Sequence, residues 1–260
     1  VEQGGLGATA RKDAWWVAPL LTFLGLSAFG VYTFWAILST LGWDGIAWPQ
    51  WSAAALPYMS PFYSPNLPEL FGFHWRFWPF LILWVPLGFR GTCYYYRKAY
   101  YRSYFLDPPG CAVGEPTSRK YGGEAKFPFI LQNLHRYFFY LATIVLLFLA
   151  IDAVNAFRFT DDLGNKRFGI GVGSIVLLLN VVFLSAFSFG CNSLRHLVGG
   201  KLDSFTCSGC ARTRYKLWKG VTVFNLKHME WAWVSLFWVG FADFYVRACH
   251  LGWWTDLRIF

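Results

Sequence analysis

Charge is what this sequence has least of. Only 14% of its residues are Asp, Glu, Lys or Arg, against about 25% in soluble domains, while 56% are hydrophobic and 22% aromatic. That shortage excludes an ordinary water-soluble domain and points to lipid as the solvent. Acidic residues are the scarcer sign, so the formal charge is +9. The Lys and Arg nevertheless fall in the connections between apolar runs, as membrane topology places them, and nucleic acid is excluded as a partner on that ground. An internal repeat and a low-complexity tract are also missing. The start, VEQGGLGATARKDAWW, lacks the compact plan of a cleavable signal, so the first apolar run is expected to insert uncleaved.

What is present is a series of apolar runs long enough to cross hydrocarbon, for which about 20 residues suffice. They predict an all-α integral membrane protein, a bundle of five transmembrane helices over residues 14–41, 74–96, 128–156, 168–196 and 226–246. Residues 43–73, rich in Pro, Trp, Ser and Tyr, read as a long loop on the outer membrane surface. Residues 107–127 read as a polar loop, and FRFTDDLGNKR as a short charged turn. The longer inner connections run over 97–127 and 197–225. Fifteen Trp and fourteen Tyr suit interfacial belts.

Five crossings put the termini on opposite faces. With the N-terminus cytoplasmic and the C-terminus outside, the inner segments 1–14, 90–136 and 191–228 hold 17 of the 23 Lys and Arg, leaving 6 outside. That asymmetry sets the orientation, and with it the location, a bacterial cytoplasmic (inner) membrane crossed several times.

Topology gathers the soft ligands at one depth. The stretch Ser188 to His228 holds Cys191, His196, Cys207, Cys210 and His228, and Cys93 and His135 fall at the inner ends of their spans. Each has a plain reading on its own. A histidine at a helix end interacts with the dipole or the interface, a cysteine inside a span is a small hydrophobe, and a single CxxC is a weak metal signal. Together, Cys207-Ser-Gly-Cys210 with two flanking histidines predicts metal binding. Two Cys with two His suit structural zinc or a Rieske-type [2Fe–2S] centre. The short Cys-to-His steps of the usual Rieske loops are absent, as is zinc-finger spacing, since His196 precedes the cysteines. Haem on His135 with His196 or His228 is the third option. Asp152 and Asp243, near the outer face, read as hydrated interfacial residues, and mid-span Asn180 as a helix-to-helix hydrogen-bonding residue.

The segments CYYYRKAYYR (93–102), LQNLHRYFFY (131–140), CNSLRHLVGG (191–200) and KHMEWAWVSLF (227–237), with this topology, resemble the single-chain, five-span, cytochrome-b-type membrane anchor of succinate dehydrogenase/fumarate reductase, respiratory complex II. The resemblance spans nearly the whole chain. It implies one membrane-anchor domain over 1–260, a flavoprotein and an iron–sulfur subunit docked on the cytoplasmic face, and delivery of electrons from succinate to a quinone. It further allows a higher oligomer of the complex. Many such anchors hold two haems; this chain lacks a convincing outer His pair, since His74 and His250 stand at a span start and in the tail. The expected centre is therefore Rieske-type, on His196, His228, Cys207 and Cys210, with Cys191 and His135 as alternates and haem b as the alternative cofactor. Basic Arg97, Lys98, Arg102, Arg212, Arg214 and Lys216 are the expected docking face, with Tyr94, Tyr95, Tyr96, Tyr100 and Tyr101 beside them. His135, Arg136 and Trp231 are the expected quinone contacts. A structural zinc loop in a stand-alone membrane protein, and a membrane thiol oxidoreductase using CSGC, are the competing functions.

Overall fold

The computed structural model describes residues 5–39, 56–72, 78–116, 122–160 and 164–260. The first apolar run forms α1 (Val17–Ser39) and the short α2 (Leu67–Phe71) follows. The second run is not one helix. It forms α3 (Phe80–Gly91), stops, and restarts as α4 (Tyr94–Tyr100), which winds on as a π turn over Tyr101–Phe105. At the stop, Thr92 Oγ1 donates to the Gly88 carbonyl, and Cys93 takes an extended conformation ahead of α4. Residues 74–77 of that predicted span, and 40–41 of the first, lie outside the described residues.

A 3₁₀ turn, Phe129–Leu134, leads into α5 (His135–Asn155). The expected charged turn is a hairpin, with β1 (Arg158–Thr160) antiparallel to β2 (Lys166–Phe168). The fourth run also breaks: α6 (Val172–Phe189) ends at Gly190, and α7 (Asn192–Gly199) starts from an extended Cys191. The predicted inner loop 197–225 is largely α8 (Gly209–Leu226), and α9 (His228–His250) follows directly.

By length and composition α1, the stretch Phe129–Asn155 and α6 can each cross a membrane, and the 12-residue α3 is apolar but shorter. α6 packs against both α5 and α9, α3 lies on α5, and α1 lies on α9. Small buried residues of α9 (Ala232, Ser235, Gly240 and Ala242) allow this close approach. Val31, Leu87 and Leu147 are 71%, 73% and 60% exposed, an apolar exterior that only lipid would solvate favourably.

Residues 5–11 lie against the loop 107–114: Gly7 N–H donates to Gly114 and Gly114 N–H to Ala8. At the far end of the bundle the C-terminal tail pairs with Ile170 through Ile259 and Phe260.

The described part of the expected outer surface loop is instead a plug in that far end. Tyr58, Phe62 and Tyr63 are 3%, 3% and 2% exposed. They sit there because their polar groups are met: Tyr63 OH donates to Ala36 O, and Ser60 Oγ donates to Asp243. Asp243 is not hydrated as expected. It is fully buried, ion-paired with Arg247 on the next turn, and also accepts from Tyr32 OH. Asp152 is half-buried and accepts from Ser64 Oγ. Asn180 is buried, with its Oδ1 unpartnered among the described residues.

Candidate functional site

Two helix breaks and two helix starts meet at one end of the bundle. Cys93 caps α4 and Cys191 caps α7, and they are 3% and 2% exposed. His135 is the first residue of α5 and His228 the first of α9. The four side chains form two Cys/His pairs: His135 Nε2 is 2.9 Å from Cys191 Sγ, and His228 Nε2 is 3.7 Å from Cys93 Sγ.

Each imidazole is held flat against a phenylalanine. His135 stacks on Phe89 at 4.8 Å and 7°, and His228 on Phe187 at 4.9 Å and 12°. Phe89 and Phe187 in turn meet edge to face at 5.4 Å. A second layer fixes these positions. Thr92 Oγ1 lies 3.1 Å from His135 Nδ1, and the Ser193 N–H points at Cys191 Sγ. Arg90 sits over the Phe187 ring at 4.5 Å and donates to Ala232 O, Ser235 Oγ and Tyr96 OH. The buried Nδ1 of His228 has no hydrogen-bond partner among the described residues, an unusual state for a buried polar atom.

Of the expected ligands, His228 and the two alternates, Cys191 and His135, are brought together; His196, Cys207 and Cys210 are not. The stop at Gly190 puts His196 on α7, where it is exposed and lines a separate pocket with Trp218. Cys207 and Cys210 are exposed at the N-terminal end of α8. Among the described residues no three His, Cys, Asp or Glu side chains converge as a single-ion site needs, so the Cys₂His₂ zinc expectation has no counterpart there. Cys93 is the member that sequence reasoning left out of the ligand set. Its signal was its place at the inner end of the second span, beside the small polar Thr92.

The other expectations divide. Trp231, one turn after His228, stacks on Phe183, and its indole N–H is buried without a partner among the described residues. Arg136 is exposed, and His135 is already engaged by Cys191. On the docking face, Arg97 is bound to Glu124 by both terminal nitrogens. Arg214 is turned inward onto the carbonyls of Val198 and Gly200. Tyr96 is buried and Tyr95 OH meets Trp233 Nε1, so these two tyrosines are structural.

An apolar-surfaced helical bundle, with thiols and imidazoles gathered at one end, defines an integral membrane protein. The family model for actinobacterial succinate dehydrogenase subunit SdhC matches residues 17–252. The chain belongs to that family, and is thereby a membrane subunit of a bacterial oxidoreductase complex, complex II. Among solved structures it is similar to a chain of the Mycobacterium smegmatis Sdh1 complex in the apo form, at 40% identity and a TM-score of 0.80, covering 97% of this chain and 94% of that one. No curated protein sequence matches it.

Proposed function

We propose that this chain anchors the flavoprotein and iron–sulfur subunits of succinate dehydrogenase at the cytoplasmic face, and carries electrons to quinone by way of a Rieske-type [2Fe–2S] centre. In this reading α1, α3–α4, α5, α6 and α9 cross the membrane. The ligands are Cys93, Cys191, His135 and His228, replacing the CSGC-based set. The observation that carries the proposal is the double Cys/His pair, its thiols buried and its imidazoles half-buried, with the orphaned His228 Nδ1. Two thiols and two imidazoles are the donor set of such a centre, and among the described residues nothing satisfies that nitrogen.

When bound, such a centre supplies a one-electron relay of higher potential than an all-Cys cluster. The chain's own residues do the rest. Thr92 sets the tautomer and orientation of His135, as outer-shell partners do for ligating histidines. Phe89 and Phe187 fix both ring planes and exclude water. The Arg90 guanidinium supplies positive charge beside the thiols. Trp231 offers its unpartnered N–H to a quinone carbonyl one turn from His228. Exposed Lys98, Arg212 and Lys216, with half-buried Arg102, remain the docking face, without Arg97 and Arg214. A haem reading is less well supported, because each imidazole Nε2 faces a sulfur and not the other imidazole across an open slot.

The test is low-temperature EPR on the purified, dithionite-reduced complex. A signal of Rieske type that vanishes in Cys93→Ala and Cys191→Ala but survives Cys207→Ala with Cys210→Ala supports the assignment. Loss only in the CSGC variant restores the other set. A Soret band that depends on His135 and His228 replaces the cluster with haem.

A further inference from the structure

Away from the Cys/His pairs, α7 and α8 pack together and leave a pocket of about 460 Å³ between them, lined by Asn192, Arg195, His196, Gly199, Gly200 and Trp218. Its charge is positive and uncompensated. Arg195 lies over the Trp218 ring at 4.9 Å and donates to Asn225 Oδ1, a neutral acceptor. Its Nε hydrogen is buried with no acceptor among the described residues. Arg214, whose guanidinium grips the carbonyls of Val198 and Gly200, adds a second positive charge at the rim. No carboxylate pairs with either arginine among the described residues.

The two glycines at the pocket wall allow close packing. A Cβ on Gly199 would stand 2.5 Å from Trp218 Cδ1, and one on Gly200 2.4 Å from His196 O. Any side chain at either position would push into the indole or the α7 backbone.

Depth identifies what fills it. Beyond Trp218, the last turns of α8 expose Val223, Phe224 and Leu226, at 67%, 45% and 80%, and α9 begins directly afterwards. At 1.5 Å per residue, Trp218 stands about 8 Å from that apolar band, which is headgroup depth in a bilayer. An indole with cationic side chains at that depth is the usual furniture of the lipid interface.

We propose that this pocket binds the phosphate of an anionic phospholipid, with Arg195 as the main contact and Trp218 against the glycerol region. The reading is independent of what the Cys/His pairs hold. It requires only that α8 ends at the membrane surface. A docked protein carboxylate would satisfy Arg195 as well, but does not account for the apolar side chains exposed just below it.

The experiment is native mass spectrometry of the whole purified complex in mild detergent, titrated with phosphatidylglycerol. The expected result is one retained phosphatidylglycerol, with affinity reduced about fivefold to tenfold in Arg195→Gln and largely recovered in Arg195→Lys. Gly199→Ala, whose methyl displaces the Trp218 indole without touching charge, is expected to lower retention too. Equal retention in wild type and Arg195→Gln overturns the proposal. So does displacement of the lipid by inorganic phosphate at equal concentration, which marks a free-phosphate site. Loss of the iron–sulfur subunit from Arg195→Gln with an unchanged lipid count overturns it in favour of a protein-docking role.

Discussion

At the scale of single residues, the chain places its reactive side chains where helices stop. Cys93 and Cys191 each occupy the capping position of a new helix, in extended backbone conformation, and His135 and His228 each open one. A cap residue is fixed by the helix that follows it, so the thiols are positioned by backbone hydrogen bonding and not by side-chain packing alone. Thr92 extends this control to His135. On the proposed assignment of a [2Fe–2S] centre to the Cys/His pairs, Thr92→Val, which removes the hydroxyl but keeps the volume, is expected to cut the iron retained per complex, by about 10–100-fold in affinity. Thr92→Ser is expected to restore it, and iron analysis of the two purified variants checks this. Cys191, His135 and His228 were legible in the sequence as residues at one depth. Cys93 was outweighed by CSGC, a pattern that looks like a ligand pair but lies on an exposed helix start. Spacing along the chain is a poor guide to side chains that come together from four separate helix ends.

At the scale of elements, the apolar runs were legible and the breaks inside them were not. Apolar runs average over some twenty positions, whereas the α3–α4 and α6–α7 stops turn on one or two residues: Thr92 bonding back to Gly88, and Gly190 ahead of an extended Cys191. Close packing follows the same logic of single positions. A Cβ on Gly88 would lie 2.1 Å from the Phe138 ring, so α3 approaches α5 this closely only with glycine there. Gly88→Ala is expected to destabilise the bundle by about 1–3 kcal/mol and to shift Thr92 with it. Thermal unfolding of the purified complex, followed with its iron content, would show both effects. An unchanged midpoint would mean that the Phe138 ring has room to turn away.

At the scale of the whole molecule, the bundle is closed at the end opposite the Cys/His pairs by a buried ionic knot. Arg247, 1% exposed, pairs with Asp243 and donates to Ser39 Oγ, Ala36 O and Tyr63 OH. It thereby ties α9, the end of α1 and the 58–64 plug together. Removing one member strands the other charge. Asp243→Asn is therefore expected to cost about 3–5 kcal/mol, and joint replacement by Asp243→Leu and Arg247→Leu distinctly less; thermal unfolding of both variants measures the difference. The sequence marked Asp243 as a hydrated interfacial residue, but showed neither its pairing with Arg247 one turn on nor that a loop predicted to lie on the surface folds in to meet it. That arrangement also bears on how the chain is made. On the proposed five-span topology α9 carries a charged pair into the membrane, and the groups that solvate it belong to α1 and to the segment after it. A last crossing of that kind is not self-sufficient in lipid, and its insertion is expected to depend on the opening segments of the same chain.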